Sequence, residues 1–474
     1  MPAYSRLPVN VVGEYYTSRS LPLSAQTTIN LYPEVNPSGR TVTALQNWPG
    51  AKLWISGVGA DRGLAIYKNV LYQVTGTNLI SINSVGVKTT IGTIPGLGRC
   101  LFANDGTNLI IVTGGNVYQY NGVALTTVTD PDLENPDSVD ILNNQVIYDG
   151  NDGRWVVASP ADPDNVPDIN YAAAESQGDD LIRVYVFNQT LYLMGSDSIE
   201  SWFNSGSGSP PFTRIEGGII EDTGIISVYA VTNTPNYVYF INNNKTIVRM
   251  SGYQIDSTIT PPATAHQLSK LDCSDAVGYS IEMEGQWLVI FTFPTSGQTW
   301  MYSETFGAWA QLSFGANGGR HLMNSYINIY DRHLITDYRN GNIYELDFDT
   351  FTDNSDVQLK ERTFGPINGN ALNLPGSVFI IEYFEVFIQT GVGSPTGQGK
   401  TPDIIFSISV DGGRTFDSSA VGYVSMGEGG DYLIRVRYDC VIEFQELFIK
   451  MRITDPAYVS IHGGFVSVKP DEGY

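Results

Sequence analysis

The sequence predicts an all-β protein: a β-propeller of six to eight blades, seven favoured, followed by a C-terminal β-sandwich or jelly-roll-like domain. Three observations predict it. The 474 residues include 49 Gly, 24 Pro and 28 Tyr with only 16% charged residues, a mixture that suits strands punctuated by tight turns rather than helices. One strand–turn–strand theme recurs at a pitch of roughly 40 residues, that of four-stranded blades. Past Ser355 the pitch disappears, but apolar–polar alternation continues.

The first element, residues 1–62, is polar and Pro-rich (LPLSAQTTINLYPEVNPSG) and reads as an extended arm ending in a strand that leads into the propeller. The propeller occupies residues 63–360. Its units begin near Gly63, Arg99, Ser138, Leu181, Gly224, Ala276 and Arg320, with ragged stretches at Asn151 and Asn236. Within a unit the strands alternate, as in Val70, Tyr72 and Val74 against Leu71, Gln73 and Thr75. Turns are expected at Lys68-Asn69, Asn143-Asn144, Asn188-Gln189, Glu284-Gly285 and Asp331-Arg332. A second set is expected at Thr77-Asn78, Gly114-Gly115, Ser196-Asp197 and Asn340-Gly341. Asn, Asp and Gly tolerate the positive φ such hairpins require. Residues 361–474 form the last domain, entered through FGPINGNALNLPG and built from EYFEVFIQTGVG, DIIFSISVDGGRTF, DYLIRVRYD, FQELFIKMRITD and YVSIHGGFVSVKP.

Charge narrows the functional classes. The net charge is −23 and the pI about 4.4, so the basic stripe that grips phosphates is missing and sequence-specific nucleic-acid binding is not expected. An acidic lumen that lets DNA pass without holding it agrees with this balance. The cysteines, Cys100, Cys273 and Cys440, are odd in number and widely spaced, which argues against a disulfide framework or a structural zinc site and for manufacture in a cytosol. The opening residues lack the apolar core of a signal peptide, and no apolar run approaches the roughly 18 residues needed to span a bilayer.

Motifs that could carry chemistry are few. Ser409-Val-Asp411-Gly-Gly413-Arg-Thr415-Phe416 fits the Asp box of sialidases, a hairpin in which Asp411 accepts turn amides, Gly413 supplies free φ and Phe416 anchors from beneath. It reads as a turn stabiliser, because a sialidase also needs several boxes, an arginine cluster and a Tyr/Glu pair. Asp162, Asp164 and Asp168 hint at a calcium loop but lack the Gly and terminal Glu of an EF-hand, and read as a Pro-stiffened acidic turn. His266, His321, His333 and His462 show no ligand spacing. Trp155, Trp202, Trp287, Trp300 and Trp309 read as blade core rather than a stacking platform. Phosphate loops, dinucleotide fingerprints and nucleophile elbows are absent. No residue is assigned a catalytic, cofactor-binding or metal-ligating role, and the chain is read as non-enzymatic.

Several stretches, in order along the chain, carry a resemblance. They are SRSLPLSAQTTINLYPE from Ser18, LGRCLFANDGTNLIIV from Leu97, AAESQGDDLI from Ala173, LYLMGSDSIESWFNSG from Leu191 and PFTRIEGGIIEDTG from Pro211. FTFPTSGQTWMYSETFGAW from Phe291, LITDYRNGNIYELDFDTFTDN from Leu334 and TGVG…GQG…SVDGGRTF from Thr390 continue it. The chain resembles the packaged-DNA stabilisation proteins, the tail hub or head-closure proteins, of short-tailed bacteriophages. It departs from their pattern at Arg437-Tyr438-Asp439-Cys440, where a more basic stretch is expected, and at PPATAHQL around His266.

The resemblance implies a structural virion protein, made in the host cytoplasm and resident in the tail. It would form a homo-oligomeric ring of six between the portal adaptor (the head–tail connector) and a tail needle or plug. It would also dock tail spikes or fibres and let phage DNA pass transiently during genome ejection, with no cofactor and no membrane insertion. Two competing expectations stand beside it: a carbohydrate-binding or glycosidase-like receptor-binding propeller, and a cellular propeller scaffold.

Overall fold

A computed structural model describes residues 4–35, 43–133, 135–150, 153–174, 178–370, 376–391, 393–416, 421–430 and 435–471. Parts of the stretches quoted above (36–39, Asn151, 175–177, 371–375, Val392 and 431–434) lie outside the described residues.

Seven four-stranded antiparallel sheets succeed one another as blades. Blades 1 to 6 span 61–93, 101–127, 139–173, 181–220, 231–256 and 277–312. Blade 7 takes three strands from 323–347 and its fourth from Gly50–Ile55, which lies antiparallel to Ile343–Asp347. A strand from before the first blade thus completes the last one, and this pairing shuts the ring.

The local chemistry of the blades follows the sequence. In blades 1, 3, 4, 6 and 7 the first hairpin is a two-residue loop, fixed by the pairs Tyr67↔Val70, Leu142↔Gln145, Phe187↔Thr190, Met283↔Gln286 and Ile329↔Arg332. Both loop residues have positive φ in each, as type I′ turns demand. Two expected turns shift by one residue. The second hairpin of blade 1 turns on Gly76-Thr77 rather than Thr77-Asn78, because Thr75 pairs with Asn78. The first hairpin of blade 7 turns on Tyr330-Asp331 rather than Asp331-Arg332. Tyr330 is forced to φ 60°, but its hydroxyl accepts from Leu71 N (3.1 Å) and donates to Ile82 O (2.8 Å) of blade 1. A tertiary anchor outweighs the turn preference here.

Facing blades bury rows of apolar and aromatic side chains. Val74, Leu79, Leu109 and Ile111 pack between blades 1 and 2, and Phe291, Trp300, Tyr302 and Trp309 fill the outer part of blade 6. Trp155 is fully buried with Trp202 edge-on to it at 5.3 Å, while Trp287 is only half-buried. Pro262–Leu268, within the PPATAHQL segment, forms a short helix between blades 5 and 6.

The sandwich draws strands from both ends of the chain. One sheet runs Leu31–Val35, Thr43–Asn47, Ser460–Pro470, Phe379–Ile388 and Val436–Phe444, with Ser5–Val9 also paired to Ser460–Pro470. The other runs Ala25–Ile29, Lys360–Asn368, Glu446–Ile453, Asp403–Ser409 and Gly422–Ser425. Phe364, Phe384 and Phe406 meet between them at centroid distances of 5.2 and 5.7 Å. The second sheet is continuous with blade 6, since Ile29 pairs parallel with Gln311. At this seam Asn30, fully buried at φ 51°, donates to Ser313 O and Leu359 O (3.0 and 2.8 Å) and accepts from Ser313 N (2.8 Å). Asn is among the few residues that accept a left-handed backbone and can also satisfy three buried groups at once.

Candidate functional site

The motifs singled out in the sequence resolve into structural roles. In the Asp box, Asp411 accepts from Ser409 Oγ (2.7 Å), Arg414 N and Thr415 N (3.0 Å each) and Thr415 Oγ1 (2.6 Å). These bonds hold its carboxyl well below the usual range, led by those from Thr415. A Cβ on Gly413 would stand 2.4 Å from Ala25 Cβ and one on Gly412 2.8 Å from Pro22, so the box is pressed against the N-terminal arm. Phe416 lies under the Lys450 ammonium at 3.9 Å.

In the acidic loop Asp164 accepts from Thr129 N at 2.7 Å, and the main chain of Asp162 makes the turn. Among the described residues no group of three His, Cys, Asp or Glu is placed to hold a metal ion. Burial pushes His321 down to about 3, so it stays neutral, and its Nδ1 accepts from Met323 N. His333 stacks on Tyr326, His462 bonds Ser460 and His266 sits in the short helix. Cys100, Cys273 and Cys440 are free thiols, the first pushed up to about 11 by burial.

Of the cavities among the described residues, two bring ionisable side chains together. The larger, about 780 Å³, lies where blade 6, the end of blade 7 and the sandwich meet. Tyr32, Phe348, Phe351 and Tyr458 line it with the carboxylates of Glu34, Glu284 and Asp349. Glu34 accepts from Gln46 Nε2 (2.6 Å) and Glu284 from Tyr32 Oη (3.3 Å).

The smaller, about 160 Å³, is the axial channel, walled by the innermost strands of the blades. Arg99 and Arg183 project into it with Tyr229, Tyr279 and Ser325. Arg99 Nη2 donates to Ser325 Oγ (3.2 Å) and Arg183 Nη1 to Val228 O (2.5 Å). Arg320, beside them, lies over the Tyr338 ring at 4.0 Å and donates to Asn324 Oδ1 (2.8 Å). Burial lowers the proton affinity of all three guanidiniums, and the charge of Arg99 adds to the effect on the other two.

Reading the sequence residue by residue did not single out these arginines. The available signal was their position: in a chain with only 26 Lys plus Arg, they recur at or just before the first strand of blades 2, 4 and 7.

Among the described residues no helix is long and apolar enough to cross a membrane.

Comparison with known proteins adds identity to this geometry. No curated protein matches in sequence. Among solved structures, BamB from Moraxella catarrhalis aligns at TM-score 0.39 and 12% identity, over 73% of this chain and 99% of its own. The Neurospora crassa Pan2 WD40 domain aligns at TM-score 0.41 and 9% identity, over 63% and 95%. The WD40 β-propeller domain of Doa1 aligns at TM-score 0.38 and 12% identity, over 62% and 96%. A family model described as "Bacteriophage P22 Gp10, beta-propeller" matches residues 5–351, a span that takes in the arm and all seven blades. The chain therefore belongs to the phage stabilisation family represented by the β-propeller protein Gp10 of bacteriophage P22, structural proteins of the virus particle.

Proposed function

We propose that this protein is a tail hub that closes the head of a short-tailed phage, retains the packaged DNA and offers attachment for a tail needle and for spikes or fibres. The observation that carries this reading is the family match over arm and propeller together. The physical chemistry agrees. A ring of blades shut by its own chain has short, protected edges and no soft opening mode. Six copies around an axis would multiply weak contacts to the portal adaptor into a tight seal. The net charge of −23 disfavours adhesion of DNA to the wall of the lumen between copies. The role is structural and non-enzymatic, in the tail of the virion.

Mixing the purified protein with DNA-filled, tail-less heads tests this. Heads are expected to hold their DNA when the protein is added and to lose it when the protein is omitted. Equal retention in both arms refutes the hub role.

A second reading, a carbohydrate-binding tail protein, is favoured by one observation: the junction cavity sets four aromatic rings beside three carboxylates, those of Glu34, Glu284 and Asp349. Binding of host polysaccharide that is lost in Phe351→Ala and Tyr458→Ala would support it.

A further inference from the structure

We infer that the axial channel is a binding site for a small oxyanion of the phosphate class, held between Arg99, Arg183 and Arg320. This assignment is independent of the tail role.

The first ground is uncompensated charge. None of the three arginines makes an ion pair within 4.0 Å among the described residues. The carboxylates that act on them are Asp61, Asp140 and Asp275, none within ion-pair distance, and each already accepts hydrogen bonds, Asp275 from Thr295 N (2.9 Å) and Thr295 Oγ1 (2.8 Å). Asp61 accepts from Gln73 Nε2 (2.9 Å), Asn324 Nδ2 (2.9 Å) and Ser325 Oγ (2.8 Å). Asp140 accepts from Ile141 N (2.8 Å) and Val186 N (2.7 Å), and burial raises it to about 6. Three clustered cations with so little neutralisation are costly away from bulk water, and a bound anion offsets that cost.

The second ground is unused hydrogen-bonding capacity. Arg183 Nε and Arg320 Nε are buried and have no partner. The same chain satisfies its other buried guanidiniums with main-chain oxygens. Arg62 donates from Nε to Gly98 O (2.6 Å) and from its terminal nitrogens to Gly76, Ile94 and Pro95 carbonyls (3.1, 2.8 and 3.2 Å). Arg362 donates from Nε to Val11 O (2.7 Å), from Nη1 to Glu14 O (2.9 Å) and from Nη2 to Gln26 Oε1 (2.5 Å). Unpaired Nε atoms on Arg183, which lines the channel, and on Arg320 beside it therefore point to a missing acceptor there.

The third ground is size and access. Arg99, Arg183 and Arg320 are partly accessible rather than sealed, so an ion can reach them. A space of about 160 Å³ admits a tetrahedral anion or a few waters, and planar guanidinium forks match the oxygens of such an anion. Each guanidinium is already anchored by one bond, Arg99 across to Ser325, Arg183 to Val228 and Arg320 to Asn324, which leaves its remaining N–H groups oriented in advance.

The test is titration of the full chain with inorganic phosphate by calorimetry in an anion-poor buffer, with sodium chloride matching ionic strength. Saturable binding of one phosphate per chain is expected, at least tenfold weaker in Arg99→Gln and in Arg183→Gln and unchanged in Arg19→Gln, an exposed arginine. No saturable binding, or binding that survives both channel substitutions, overturns the assignment. A short single-stranded oligonucleotide should not compete, since only a free anion fits; competition would move the site to the outer surface and also overturn it. Should the variants fail to fold, wild-type crystals soaked in selenate decide. Anomalous density between Arg99 and Arg183 is expected, and its absence from the channel refutes the site.

Discussion

The propeller and the sandwich solve the same problem, closing a β-structure, in opposite ways. Every blade but one pairs strands that follow one another in sequence, so its hydrogen bonds form over short loops. The sandwich pairs strands hundreds of residues apart, Thr27 with Thr363 and Leu7 with Val466. The first arrangement spreads stability over many equivalent neighbours. The second concentrates it in a few long-range fasteners, above all Arg362, whose donors all go to the N-terminal arm and the strand beside it. Local repetition tolerates damage, and a single clasp does not.

The largest effect is therefore expected from Arg362→Met. It strands buried acceptors in the arm, which should cost on the order of 4 kcal/mol. Denaturant titration should show the arm and sandwich melting first, with early proteolysis between residues 10 and 30. A single transition at wild-type stability would erase the contrast. Leu191→Ala, in the core between blades 3 and 4, should cost about 3 kcal/mol from the cavity it leaves. Here the arm should keep its wild-type resistance to protease, because the damage stays within neighbouring blades.

Acidity gives a gentler measure. Burial raises Asp149, which accepts from Asp137 N and Ser138 N, to about 7 from its ordinary 3.8. Between about pH 4 and 7 the folded chain holds this proton and the unfolded chain has lost it. The Asp149 contribution is therefore full below pH 4 and falls as pH rises through 7, by at most about 1.4 kcal/mol per pH unit. Thermal melts across that window should show a shallower slope in Asp149→Asn than in wild type. The smallest effect belongs to Asp411→Ala, which frees exposed turn amides. Hydrogen exchange should quicken at Arg414 and Thr415 while the melting temperature stays within a degree.

How much was legible follows from the same contrast. Asn143-Asn144 and Glu284-Gly285 announce their turns because a type I′ hairpin is decided by the two residues in it, and blade pitch is a sum of such local decisions. Tyr330 at positive φ was not legible, because its reward is a pair of hydrogen bonds to blade 1. The arm read as extended and polar, yet Ala25–Ile29 is a sheet strand whose partners lie hundreds of residues away, and Leu31–Val35 pairs with Thr43–Asn47, which in turn joins Ser460–Pro470 at the far end of the chain. Nothing within AQTTI or LYPEV states that pairing. The channel arginines are the extreme case. Residues 99, 183 and 320 become neighbours only when the ring shuts, so no window of sequence contains the site.

The shutting strand, Gly50–Ile55, sets an order of events during synthesis. It emerges early but must wait for Ile343–Asp347, and Ser5–Val9 must wait for Ser460–Pro470. At about 5–20 residues per second, the ribosome needs tens of seconds to deliver either partner. Until then the nascent chain carries an open-ended stack of blades and an unattached leader, so ring and clasp close late, only after residues 343–347 and 460–470 have been made.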